Sequence, residues 1–521
     1  MAKQRNIFLV VLILIPVAIH FFLLDKFLVD FPSWGDDIIY LDLIEKFDKI
    51  SWSERLTNIF DFHSYIHRIA FSRTLLILYF KIIGIINFKV IIMLANLQSV
   101  AILWIIFNYL KREQMSTWYL VGVSILLFSV NGNLDNYGLI GVLQHLSSIL
   151  FMVLISYGLI YKPNHIWPLF MTLLYPFVST EGLVFILWVL CYLYFTKSKF
   201  RVTFTILFTL IFVFYFHNYE GDHSNMPKTD YVEKIYLFVK GILVYLGSSL
   251  KHNVSIAWVI GLFIIAYCGH FLWQTISEKT ASKPSAKLFP LFLFVQTLMT
   301  GALIAIGRVS NGGEAALQVL LADRFYTYGA FLLVILYIML IVDLKNKAFM
   351  KPIYSLIPAV LFGIFSFSNA QKRLYDLKNR VQLDASNAFL FKKSVNYILT
   401  SRDSYLLSNA GLYHFPMEIE DLSLGKLNQL KISDGQKLTL EKQYQIDPQI
   451  GQYKIFNSSV LEKTTNGHVV YLRSDSNPNA GILIPIVQIN QGRDYIIKVH
   501  VNGFDYTKPF AAYLINLNLT L

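Results

Sequence analysis

From Ile7 to Phe367 the chain repeats one pattern, a long apolar run followed by a short polar or basic break. A bilayer core of about 30 Å takes roughly 20 apolar residues in helical form. The pattern predicts about eleven spanning helices. They are Ile7–Leu24, Lys89–Leu110, Thr117–Val130, His145–Tyr161, Ile166–Val178, Leu183–Phe195, Val202–Phe216, Ile256–Trp273, Leu288–Ile306, Tyr326–Val342 and Ile353–Phe367. Several are short for a full crossing. Two further apolar segments, Thr74–Ile86 and Tyr236–Leu250, are interrupted by Lys81 and Lys240 and read as interfacial or re-entrant helices.

After Phe367 the period changes. Gln371 to about Tyr397 has the pattern of a helix with a polar face, and from Gly425 onward apolar and polar residues alternate. Lys437-Leu-Thr-Leu-Glu, His468-Val-Val-Tyr-Leu-Arg and Asp494-Tyr-Ile-Ile-Lys-Val-His-Val are the clearest strands, separated by Asn, Gly, Asp and Pro turns. The expected fold is an all-α polytopic membrane domain over 1–367, a helical connector over 368–424 and a β-rich, sandwich-like external domain over 425–521.

Composition agrees with a lipid solvent. Of 521 residues 55% are hydrophobic and only 15% charged, against about 25% charged in soluble domains, and the mean hydropathy is +0.51. The net charge of +12 does not point to nucleic acid. Its lysines and arginines sit in short breaks between apolar runs, at Lys111–Arg112, Lys162, Lys197–Arg201, Lys279–Lys287 and Lys345–Lys351, where they set orientation. With the N-terminus cytoplasmic, those breaks are cytoplasmic and the C-terminal part is external. Lys3 and Arg5 before Ile7–Leu24 resemble a signal sequence without a small-x-small cleavage site, hence an uncleaved signal anchor. Cys191 and Cys268 fall in separate apolar runs and read as small core residues.

Polar side chains beside membrane-embedded helices are costly to place, so they mark candidate chemistry. On the expected outer face, Trp34-Gly35-Asp36-Asp37 follows the first span; paired carboxylates there suit a general base and its orienter, and a helix N-cap is the ordinary alternative. The same loop ends in Asp61-Phe-His63-Ser-Tyr-Ile-His67-Arg68 and Arg73. His63 and His67, at i,i+4 near Asp61, make a divalent metal the one cofactor the pattern admits, although interfacial histidines are preferred and none is assigned. Arg68 and Arg73 suit an anionic headgroup, with interfacial anchoring equally good. A later external loop carries Arg308, Glu314 and Asp323-Arg324-Phe325-Tyr326, and cations outside run against the usual bias. Local Glu314–Arg308 or Asp323–Arg324 pairs are the structural alternative. Asp135, Gln144-His145, Ser179-Thr180-Glu181 and Glu220-Gly-Asp222-His223 fall near outer span ends; Glu181, wedged between apolar runs, stands out, and the others read as solvated loop residues.

This arrangement resembles the GT-C class of membrane glycosyltransferases over roughly Ile7–Phe367. The first span, the early Asp36-Asp37 pair and the Thr74–Ile86 segment carry the architecture. His67-Arg68…Arg73 and Gly307-Arg308…Asp323-Arg324-Phe325-Tyr326 look like bacterial enzymes that decorate O-antigen, the serotype-converting glucosyltransferases. The resemblance implies an inner-membrane enzyme whose external face is periplasmic. It also implies a polyprenyl-phosphate sugar donor, a hexose such as glucose, and a glycan or lipid-linked glycan acceptor. Asp36 or Asp37 would take the acceptor proton; Arg68, Arg73, Arg308 and Arg324 would hold the donor phosphate, with His67, Glu181 and Tyr326 toward the acceptor. The rivals are a flippase or transporter of lipid-linked glycans, a polymerase or ligase of the same pathway and, last, a membrane-anchored binding protein.

Overall fold

The computed structural model describes residues 2–32, 35–63, 67–129, 135–219, 231–250, 253–277, 286–309, 314–321, 323–345, 352–391, 412 and short strands between 436 and 516. For some, including Asp36, Asp323, Arg324 and Tyr326, the backbone alone is described.

The described chain is mostly helical. Its helices are α1 (Ala2–Phe27), α2 (Gly35–Phe47), α3 (Trp52–Phe60), α4 (Ala70–Ile83), α5 (Phe88–Arg112), α6 (Tyr119–Leu127), α7 (Ser147–Tyr161) and α8 (Trp167–Leu174). Then follow α9 (Glu181–Phe195), α10 (Arg201–Phe216), α11 (Tyr231–Gly247), α12 (Val254–Ser277), α13 (Leu288–Ile304), α14 (Asp323–Leu344) and α15 (Pro352–Phe391). Between α3 and α4 a hairpin pairs β1 (Phe62–His63) with β2 (His67–Arg68). Two π-helical segments extend neighbouring helices, Gly141–Leu146 before α7 and Ala305–Val309 after α13.

Six stretches among the described residues are long and apolar enough to cross a membrane: Ile7–Phe27, Phe88–Arg112, Gly141–Tyr161, Val254–Ser277, Leu288–Val309 and Thr327–Leu344. They support a multi-pass membrane protein and correct the expected number of full-length spans. Expected span 166–178 breaks because Pro176 ends α8 in a 3-10 turn, Tyr175–Phe177. The expected span 117–130 holds only the nine-residue α6. Helices α9 and α10 are apolar but have 15 and 16 residues, about 22–24 Å at 1.5 Å per residue. Segment Leu356–Phe367 is likewise apolar and shorter, and it continues without a break into the polar half of α15.

Burial sorts the six. Only 22% of the Ile7–Phe27 window is buried, against 78% for Gly141–Tyr161 and 72% for Thr327–Leu344, so the latter two lie at the centre of their packing. Helix α11 begins earlier than the expected Tyr236 and packs antiparallel on α12, with Gly247 against the Ala257 backbone and Gly261 against that of Leu243. It is thus one arm of a helical hairpin. The opposite end of α12 is tied to α13 and α14: Lys287 Nζ donates to Gln274 (2.9 Å), and Tyr267 OH donates to Asp343 (3.2 Å).

The chain divides into two compact units. One comprises Met1–Lys26, Trp52–Leu75 and Ile92–Lys372; the other comprises Phe27–Ser51, Leu76–Ile91 and Arg373–Leu521. The second unit is joined by local bonds between distant segments. Asp30 accepts from the Phe88 amide (2.6 Å), Lys81 pairs with Asp48, and Leu412 accepts from the Ile86 amide (2.7 Å).

Beyond α15 the described residues contain eight strands: β3 (Gln436–Leu438), β4 (Leu440–Lys442), β5 (Ile450–Ile455), β6 (His468–Ser474), β7 (Gly481–Pro485), β8 (Val487–Ile489), β9 (Asp494–His500) and β10 (Phe510–Asn516). They pair antiparallel in two sets, ordered β3-β10-β6-β7 and β4-β5-β9-β8. The longest register runs from Phe510↔Ser474 to Asn516↔His468. These short strands do not establish the sandwich-like domain expected for 425–521. Leu472 and Ala512, the strand residues whose side chains are described, are both buried.

Candidate functional site

The densest buried polar cluster among the described residues belongs to the first unit and centres on Glu181. Helix α9 starts at this residue because the 3-10 turn Tyr175–Phe177 ends the previous helix and Ser179-Thr180 leads into the next. Gly182 is required beside it, since a Cβ there would run into the Tyr175 and Pro176 backbone. The carboxylate is 9% exposed and receives three hydroxyl donors: Ser148 (2.7 Å) and Tyr328 on Oε1, and Ser179 on Oε2. Such donors replace the water a buried carboxylate gives up. Ser148 also bonds Tyr175 OH at 2.7 Å.

Two groups extend this centre. Tyr328 OH lies 3.2 Å from His145 Nδ1, and His145 Nε2 lies 3.9 Å from Asp135. On another side, His67 Nδ1 contacts Thr180 Oγ1 at 2.6 Å, and Thr180 contacts Tyr215 OH at 3.1 Å. Burial pushes the His67 imidazole down to about 4, against the opposing pull of the Glu181 charge; His63, His145 and Arg308 push it the same way as burial. His67 therefore stays neutral at physiological pH.

Arg308 is the exposed cation of this region. It sits in the π-helical segment Ala305–Val309, whose Ala305 and Val309 are fully buried while Ile306, Gly307 and Arg308 face outward. Val309 is held in an apolar cluster with Leu237, Val244, Ala257, Leu317 and Leu320, which fixes the turn. No hydrogen bond or ion pair occupies Arg308 among the described residues, and its charge acts on His67. The expected Glu314–Arg308 pair is not formed; Glu314 pairs with Lys240 instead.

Arg68 and Arg73, two of the other expected phosphate ligands, are engaged with the backbone. Arg68 is buried, stacks on Phe62 with its guanidinium carbon 3.8 Å from the ring centre, and donates to the Tyr215 carbonyl (2.8 Å), the His217 carbonyl (2.6 Å) and the Phe60 carbonyl. Arg73 donates to the carbonyls of Asn58 (2.9 Å), Ile59 (3.2 Å) and Asp61 (2.6 Å), closing the end of α3. Helix C-termini leave such carbonyls unpaired, and a guanidinium satisfies them well. Both arginines staple backbone carbonyls in this structure.

His63 and His67 are direct cross-strand partners in a hairpin, not neighbours along one helical face. The two residues lie on strands, so the i,i+4 helical spacing does not describe them. Asp36 and Asp37 occupy the first turn of α2 in the second unit; Asp37 is buried, and the Asp36 side chain lies outside the described residues. The side chains of Arg324 and Tyr326, and residues Glu220, Asp222 and His223, also lie outside them.

Asp135, Gln144 and Ser179 are buried and His145 is nearly so, which corrects their reading as solvated loop residues. Tyr328 and Ser148 had no sequence signal beyond a hydroxyl in an apolar run, a signal that is real because buried hydroxyls need partners. No family model, curated protein or solved structure matches this chain.

Proposed function

We propose that the protein is a membrane glycosyltransferase that moves a sugar, a hexose such as glucose, from a polyprenyl-phosphate donor to a surface glycan such as O-antigen. In this reading it is a multi-pass protein of the bacterial inner membrane, N-terminus cytoplasmic, acting on the periplasmic face. The observation that supports it best is the exposed, uncommitted Arg308 at the end of a candidate span, beside neutral His67 and the buried Glu181. A lipid phosphate leaving group carries its own charge and needs a cation, not a proton donor, and Arg308 meets that need at the end of an apolar helix. His67 faces the acceptor as a neutral hydrogen-bonding group, and Glu181 keeps its surroundings ordered. Tyr326 and Arg324 stay as acceptor and phosphate candidates. The resemblance to the GT-C class assigns the base to Asp36 or Asp37, whose place at the start of α2, just past the first span, is compatible with that role.

The buried ionisable chain Asp135–His145–Tyr328–Glu181 favours one other reading, a transporter of lipid-linked glycans, because such chains mark ion paths in membrane proteins. One experiment separates the two. Purified, folded Asp36→Asn and Asp37→Asn variants are given a polyprenyl-phosphate hexose, and donor turnover and donor binding are measured. Loss of a general base costs about 10²–10⁴-fold in rate with binding retained. Normal turnover in both variants removes the aspartates from the reaction. Movement of intact donor across proteoliposomes without turnover makes the protein a transporter.

A further inference from the structure

The chain of contacts from Asp135 to Glu181 has a proton count that its geometry constrains. Tyr328 has one hydroxyl proton, and Glu181 Oε1 and His145 Nδ1 both lie against that hydroxyl. If the proton points to Glu181, the tyrosine oxygen can only accept from His145, so Nδ1 must carry hydrogen. The other ring nitrogen, Nε2, then faces the Asp135 carboxylate at 3.9 Å. At that distance the two form an ion-pair contact, not a hydrogen bond, when the ring carries both protons. If Tyr328 donates to Nδ1 instead, Nδ1 carries no hydrogen, and Glu181 keeps the Ser148 and Ser179 hydroxyls but loses its third donor. The direction of one hydroxyl therefore links the hydrogen on His145 to the donors on Glu181.

We infer that Asp135, His145, Tyr328 and Glu181 form one proton-sharing unit, in which protonation of His145 is coupled through the Tyr328 hydroxyl to the charge on Glu181. Four elements meet in it: the turn at 135–137, the π-helical segment Gly141–Leu146, α14 and α9. The π-helical geometry is a common device at functional sites, where an extra residue re-aims a side chain. The charged and titratable groups facing His145 are Asp135, Tyr328, Glu181 and His67. Glu181 additionally faces Tyr175 and Tyr245. The coupling does not depend on glycosyl transfer, and it holds under the transporter reading as well.

The test is a titration of the full chain in lipid nanodiscs with ¹⁵N-labelled histidine. His145 is one of 12 histidines and is assigned by the signal lost in His145→Gln. Groups that interact strongly shift one another by about one pK unit or more, so Glu181→Gln should lower the proton affinity of His145 about tenfold. In a Tyr328→Phe background the same Glu181→Gln change should have a much smaller effect, because the hydroxyl that links them is gone. Equal shifts in both backgrounds, or no shift from Glu181→Gln, would overturn the inference. The buried His20, bonded to Asn96 at 3.0 Å, reports whether each variant keeps its fold. Should Glu181→Gln lose that signal, the cycle is run from the other end, with infrared absorption of the Glu181 carboxyl in Asp135→Asn with and without Tyr328→Phe. Independence of Glu181 from Asp135 would then be the contradicting result.

Discussion

Arg68 donates to three backbone carbonyls, whereas Arg308 has no partner among the described residues. Replacing Arg68 with alanine strands three acceptors around α10 and the end of α3. Each buried unsatisfied group costs about 1–3 kcal/mol, so Arg68→Ala should lower unfolding stability by roughly 3 kcal/mol or more, seen as a large drop in Tm in detergent. Arg308→Ala should leave the Tm nearly unchanged, since exposed substitutions stay within about 0.5 kcal/mol. Equal Tm values for both variants would refute the distinction. His67 makes a pH prediction. Its folded value of about 4 lies below the ordinary unfolded value near 6.5, so the unfolded chain binds the proton more readily. Stability from this residue is complete above about pH 6.5 and is lost as pH falls toward 4. Thermal midpoints should thus fall less steeply over that window in His67→Gln than in the native protein. Sequence alone singled out Glu181 as wedged between two apolar runs, but not the three hydroxyls that surround it. It could not identify the fate of Arg68 and Arg73, since a cation near a span reads the same whether it meets a phosphate or a carbonyl. Nor could it place Asp135 and His145, whose burial depends on helices far along the chain.

At the scale of elements, the site rests on places where regular helices fail. Two π-helical segments carry His145 and Arg308, and a proline-induced 3-10 turn delivers Glu181. Apolar periodicity reports helices well but is silent on these local changes of pitch, so run length alone reads the short α8 and α6 as spans. Gly182 offers a direct probe. Its missing Cβ lets the start of α9 pack on the Tyr175–Pro176 backbone, so Gly182→Ala must push α9 away from that turn. Overpacking of this kind costs about 1–3 kcal/mol. The variant should lose stability by that amount and weaken the Ser148–Glu181 and Ser179–Glu181 bonds. Unchanged stability, measured by denaturation in detergent, would mean the turn yields without strain.

For the whole molecule, composition and run length were enough to place the chain in a membrane, because the lipid solvent acts on every exposed side chain of a long helix. Segments 27–51 and 76–91 join the C-terminal unit through Asp30, Asp48 and Leu412, contacts that no local pattern announces. The alternation after Gly425 did find strands, but pairing alone does not make a domain. In the proposed function, Arg308 is the cation at the lipid-phosphate leaving group of a sugar transfer. The most direct measurement is release of polyprenyl phosphate from a polyprenyl-phosphate hexose by purified protein with a glycan acceptor, comparing native protein with Arg308→Ala and Arg308→Lys. A lost charge-assisted hydrogen bond of about 1.5–3 kcal/mol predicts roughly a 10- to 150-fold loss for alanine, with partial recovery for lysine because the charge remains but the two-pronged geometry does not. Full release by the alanine variant, in protein of unchanged Tm, would contradict the account.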